Sequence, residues 1–172
     1  MDVIFDGKTE GCEQDQISTY TWEDQNKRLL LALPVGMTDM PLEGKLKNYP
    51  MAERPEIIMG DEQEETQLTV QFTDKAMKRE ETETALRQVH DMMEKTFAQY
   101  KLSPPYVFRN EGFPIGWFLL QMGTLQKEHI KAIFSVKGYM VILTFTYPER
   151  NKLKWRVFSK YLFASAREDG DT

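Results

Sequence analysis

Three runs in the last third of the chain, Ile115 to Met122, Glu128 to Val136 and Tyr139 to Tyr147, follow one another through short turns and lead into an amphipathic segment. Each is rich in aromatic and β-branched residues, which suit a pleated, half-buried surface, and each reads as a strand. Lys137-Gly138 is a two-residue connection that puts Gly where a primed hairpin turn needs φ > 0, so the second and third runs pair antiparallel. The third run is apolar at both odd and even positions, the pattern of a strand buried on both faces. Something must therefore cover the sheet on each side.

Two helical stripes are available to do so. From Glu80 to Lys101, the residues Leu86, Val89, Met93, Phe97 and Tyr100 fall on one helical face. Such a helix is about 33 Å long at 1.5 Å per residue, enough to cross a domain, and Ser103-Pro104-Pro105 stops it. After Asn151, Trp155, Phe158, Leu162 and Ala166 recur at helical spacing. The expected fold class is α+β, an antiparallel-rich sheet flanked by helices on both faces, that is, an α/β/α sandwich. Placing both helices on one face leaves half of the apolar side chains of residues 139–147 in water.

The first half supplies the remaining strands. Ser18 to Trp22 and Lys27 to Leu33 form a hairpin around Asp24-Gln25-Asn26, and a long connection over 34–53 holds a short helix near Leu42 to Asn48. Arg54 to Met59 is a short strand whose Pro55 marks a strand start or an edge. Leu68, Val70 and Phe72 alternate with Thr69, Gln71 and Thr73, beyond an acidic loop at Gly60 to Glu65. Tyr106 to Phe108 is a further short strand. With 172 residues and no long linker, the organisation expected is a single domain over 18–167, a polar N-terminal segment over 1–17 and a C-terminal tail over 168–172.

Charge and composition narrow the function classes. A net charge of −5 and a pI near 5.2 disfavour non-specific nucleic-acid binding, which needs a basic surface. The longest apolar run, Tyr139 to Phe145, is far short of the 18 or so residues that span a bilayer. Cys12 is the single cysteine, which fits a reducing compartment, and the first residues lack the basic flank and apolar run of a secretory signal. A cytoplasmic location is expected, with neither nucleic acid nor membrane as partner.

The chain contains no G-x-S-x-G, G-x-x-x-x-G-K-[ST], G-x-G-x-x-G or H-E-x-x-H motif. No catalytic residue, cofactor or metal site is nominated. His90 and His129 read as partly buried or surface histidines, and the acidic loop lacks the ligand order of a calcium loop. Arg150, Lys152, Lys154, Arg156, Lys160 and Arg167 read as the solvated face of the last helix. Two loops combine restricted backbone with aromatics, Tyr49 to Pro55 and Gly112 to Trp117, and the binding residues nominated from them are Tyr49, Arg54, Phe113 and Trp117, lining a common groove. Arg54 in particular is expected to turn inward and pair through its fork with a carboxylate or with carbonyls of a neighbouring element.

The order of elements resembles the superfamily that includes the PsbP photosystem subunits, the Mog-type Ran-binding import factor and the bacterial DcrB lipoproteins. The resemblance rests on the early strand ending in Leu31-Ala32-Leu33-Pro34-Val35-Gly36, the intermediate hairpin, the helix near residues 80–101, the meander and the closing helix with Trp155-Arg156-Val157-Phe158, and it covers residues 18–167. It implies a PsbP-like α/β/α sandwich used as a non-catalytic binding module. The expected function is a cytoplasmic protein-binding or adaptor module with an unknown protein partner. The alternatives are a binder of a small apolar or amphipathic ligand held between the sheet and the Tyr49 to Arg54 loop, or an enzyme of unrecognised type.

Overall fold

The computed structural model describes residues 17–63, 65–168 and 170, so the reading of the N-terminal segment, Cys12 included, lies outside the described residues. In chain order the elements are β1 (Thr19–Glu23), β2 (Leu29–Pro34), β3 (Thr38–Asp39), α1 (Leu42–Asn48), β4 (Ile57–Gly60), β5 (Gln67–Ala76), α2 (Thr82–Thr96), β6 (Lys101–Leu102), β7 (Tyr106–Phe108), β8 (Ile115–Met122), β9 (Lys127–Val136), β10 (Tyr139–Pro148), α3 (Lys152–Ser165) and β11 (Arg167–Glu168). The main sheet has eight strands in the order β3-β4-β5-β10-β9-β8-β6, with β7 also on β8, and every pairing is antiparallel. Lys137 and Gly138 turn β9 into β10 with φ of 53° and 86°, the two positive values of a type I′ turn.

Alternation along β10 divides the sheet into two faces. Val141, Leu143, Phe145 and Tyr147 enter one core with Trp155, Phe158, Leu162 and Phe163 of α3. Met140 and Ile142 enter a second core with Ala85, Leu86, Val89 and Met93 of α2, together with Phe118 and Ile133. One helix therefore packs on each face, as the doubly apolar strand requires. Gly116 of β8 lets α2 come close, since a Cβ there would meet the Leu86 side chain at 2.9 Å.

Several boundaries differ from the sequence reading. The helix expected over 80–101 ends at Thr96, because Phe97 leaves helical geometry and stacks on Tyr100 at 6.0 Å, freeing Lys101 and Leu102 to pair with β8. The strand expected from Arg54 begins at Ile57, after Pro55, which has no N–H to give the ladder. The first hairpin stays out of the main sheet and forms a small one of its own, β1-β2-β11. Its Leu29, Leu31 and Leu33 join the α3-side core. Glu168, at the expected start of the tail, is instead the last residue of β11 opposite Leu29, and it accepts from Arg79 at 2.7 Å and from the Lys137 N–H.

Polar locks hold these layers together. Arg28 bonds Asp24 at 2.6 Å and Glu56 at 2.5 Å while its guanidinium lies 3.5 Å from the centre of the Phe72 ring, which ties the hairpin to β5. Burial alone would raise the Asp24 carboxyl, yet the bonds and charge of Arg28 hold it below the usual carboxylate range. Asn110 donates to the carbonyls of Phe163, Ala164 and Ala166 and so satisfies the C-terminal end of α3.

Candidate functional site

The groove expected from Tyr49, Arg54, Phe113 and Trp117 does not form. Tyr49 follows α1 on the α2 side of the sheet and donates to Gln67 Oε1 at 2.6 Å. Phe113 and Trp117 face the other side. Phe113 is buried on Phe134 with Arg79 over its ring, and Trp117 stands between Tyr106 and Phe163. The two pairs belong to opposite faces, and β9 and β10 lie between β8 and β5. Arg54 also departs from expectation. Its Nε donates to the Tyr49 carbonyl at 3.0 Å, a single bond within its own loop, because the loop folds back and offers that acceptor first.

On the α3 side, Glu128 of β9 is fully buried and receives Arg156 Nε at 2.7 Å and Nη2 at 2.6 Å, with further bonds from the Tyr147 hydroxyl and Gln121 Nε2. Burial alone would raise this carboxyl, but the Arg156 fork and the Tyr147 hydroxyl outweigh it and hold the group low. Burial and the Glu128 partner push the Tyr147 hydroxyl far up, so it stays protonated. Arg156 was expected on the solvated face of the last helix, whereas it turns inward to clamp α3 onto the sheet. Every member of this cluster already has its partners, which marks a structural lock.

The α2 side of the sheet is different. Strand register places Leu120, His129, Thr146 and Gln67 in one row across β8, β9, β10 and β5, and Phe118, Lys131, Thr144 and Thr69 in the next. Neighbours within such a row have Cβ atoms about 5 Å apart. Helix α2 covers the β8 end, with His90 edge-on to Phe118 at 5.0 Å, while Tyr49 and Asn48 cap Gln67 at the β5 end. Between them stand His129 and Lys131 of β9, Thr144 and Thr146 of β10, and Thr69 of β5. The three threonines are buried and the two basic side chains half-buried. Among the described residues, none of these five side chains has a hydrogen-bond or ion-pair partner.

Their electrostatics follow from that isolation. Burial, reinforced by the charges of Lys131 and Lys127, pushes His129 down to about 4, and burial lowers Lys131 with no carboxylate to offset it. Burial also takes the Tyr49 hydroxyl up to about 12, keeping it a donor. His129 lies in a strand as its sequence context implies, while the cluster around it joins three strands and as a whole has no local pattern. Its one local signal was the alternation Lys127-x-His129-x-Lys131, three basic side chains on one face of a strand in an acidic chain.

Other polar groups are accounted for locally. His90 bonds the Ser103 carbonyl through Nε2 at 2.7 Å. Folding of α2 also brings His90, Asp91 and Glu94 within 4.8 Å of one another, a grouping that the sequence reading did not nominate, with both carboxylates exposed. An open cleft of about 440 Å³ beside the start of α2 is lined by Arg79, Glu83, Arg109 and Asn110, where Arg109 pairs with Glu83 and Arg79 with Glu168.

Comparison with solved structures identifies the fold. Cyanobacterial PsbP (CyanoP) from Synechocystis sp. PCC 6803 superposes with a TM-score of 0.61 at 9% identity, over 94% of this chain and 98% of that one. The Ran-binding protein Mog1p of Saccharomyces cerevisiae superposes with a TM-score of 0.51 at 7% identity, over 88% of this chain and 96% of that one. No family model matches the sequence, and no curated protein does. The chain therefore has the PsbP-like α+β fold expected from its element order.

Proposed function

We propose that this chain is a non-catalytic protein-binding or adaptor module that meets its partner on the α2 side of the main sheet, between α2 and Tyr49. The observation that carries this reading is the cluster of His129, Lys131, Thr69, Thr144 and Thr146, which has no partner among the described residues. Polar groups withdrawn from water without partners cost stability, and a chain that keeps three buried threonines and two half-buried basic side chains together keeps them for something that completes them. Their chemistry suits binding. Hydroxyls, an imidazole and an amine side by side offer hydrogen-bond donors to an incoming group. A fold shared with a Ran-binding protein is consistent with the reading. A cytoplasmic location belongs to it as well, since the single Cys12 needs no oxidising compartment.

A second reading, a small amphipathic ligand held between the sheet and the Tyr49 to Arg54 loop, is favoured by one observation. Tyr49 borders the row that contains His129. Affinity purification from the native source separates the two. Full-length chain, Lys131→Glu and, as a control on the opposite face, Lys152→Glu are used as baits after thermal melting confirms that all three fold. Proteins captured by the first and third baits and lost by the second support the adaptor reading. Equal capture by all three removes this face from it, and a small molecule co-purifying in place of a protein supports the second reading.

A further inference from the structure

We infer, building on the adaptor reading, that the His129 and Lys131 rows form a carboxylate site, and that its occupant is an Asp or Glu side chain presented by an extended segment of the partner. The count of donors leads to this class of ligand. A carboxylate offers about four lone-pair positions. Lys131 supplies an ammonium, His129 a ring N–H, and Thr144 and Thr146 two hydroxyls, all on one face in adjacent rows. Thr69 extends the second row by one strand.

Charge points the same way. The protein is acidic overall at −5, yet Lys127 and Lys131 stand on one face of β9 either side of an uncharged His129, with no carboxylate beside His129 or Lys131 among the described residues. A local basic strip in an acidic protein draws an acidic partner to that place. A bound carboxylate also supplies the opposite charge whose absence makes Lys131 costly to bury.

Phosphate fits less well. The site contains no arginine fork and no helix N-terminus, and the backbone N–H groups of β9 and β10 are engaged in the ladder between neighbouring strands. The occupant is extended because the available width is narrow. From β8, under α2, to β5, under Tyr49, is three strand spacings, about 14 Å.

The site is tested by NMR titration of the full chain at constant ionic strength, without the partner. The probes are sodium acetate, a blocked Gly-Ser-Glu-Ser-Gly peptide, the same peptide with Gln in place of Glu, and inorganic phosphate. The expected result is saturable shifts of the His129 ring and of the Thr144 and Thr146 methyls with the Glu peptide. Acetate should move the same resonances at higher concentration, and the Gln peptide should move none. Lys131→Met should weaken the Glu peptide about tenfold or more, while Lys152→Met leaves it unchanged. An absent or non-saturating response, an equal response to the Gln peptide, tighter binding of phosphate, or unchanged affinity in Lys131→Met each overturns the site. Any of these leaves Lys131-dependent capture of a partner intact as support for the adaptor reading. Conversely, carboxylate binding with no partner captured upholds the site and overturns the adaptor reading.

Discussion

Two residues show how burial and pairing decide a charge's effect. Lys131 is half-buried without a carboxylate, and its charged form is disfavoured where it stands. Lys131→Met, which keeps the length and apolar stem, should raise stability by about 1 kcal/mol or more, read from the urea midpoint at pH 7. Glu128 is the opposite case, since its carboxylate answers Arg156 and Tyr147. Glu128→Gln leaves that guanidinium without its counter-charge, and because Arg156 remains about a third exposed the loss should be about 2 kcal/mol, below that of a fully buried pair. Neither assignment was legible in the sequence. Arg156 is 28 residues from Glu128, and its neighbours in α3 are solvated cations, so helical position alone assigned it to the wrong face.

At the scale of elements, periodicity carried most of the information. The stripe of Trp155, Phe158, Leu162 and Ala166 is buried throughout. Trp155 meets Phe145 and Phe158 edge-on at 5.5 and 5.7 Å. Trp155→Ala removes that wedge and should cost about 3 to 5 kcal/mol; an unchanged urea midpoint would contradict the docking of α3. The meander strands, α1 and β7 were read within a residue or so, because hydrophobic alternation and the Lys137-Gly138 turn act over short distances. The ends of α2 and β4 were not. Phe97 and Tyr100 continue the helical stripe, yet they serve the turn that delivers Lys101 and Leu102 to the edge of the sheet, and Pro55 cost β4 its expected start.

For the whole molecule, acid should act first through His129. Its folded value, about 4, lies below the ordinary 6.5, so as pH falls the unfolded chain takes up the proton first. The associated stability is complete above about pH 6.5 and is lost between about 6.5 and 4, amounting to about 3 kcal/mol. Urea unfolding across that window should show the decline, and His129→Gln, which removes the imidazole, should flatten it. A decline that persists unchanged in His129→Gln would assign the effect elsewhere.

The sequence by itself determined the class of the fold. A strand apolar on both faces, between two amphipathic helices, can satisfy its side chains only as the middle of a sandwich, and that constraint is local enough to read from period alone. Only the tertiary structure decided which residues share a place. It put Phe113 and Trp117 on one face and Tyr49 on the other, and it separated the first hairpin into its own sheet. It also set His129 and Lys131 beside threonines 13 and more residues away. Strand pairing brings together residues distant in the chain, and the register that aligns them depends on every strand between.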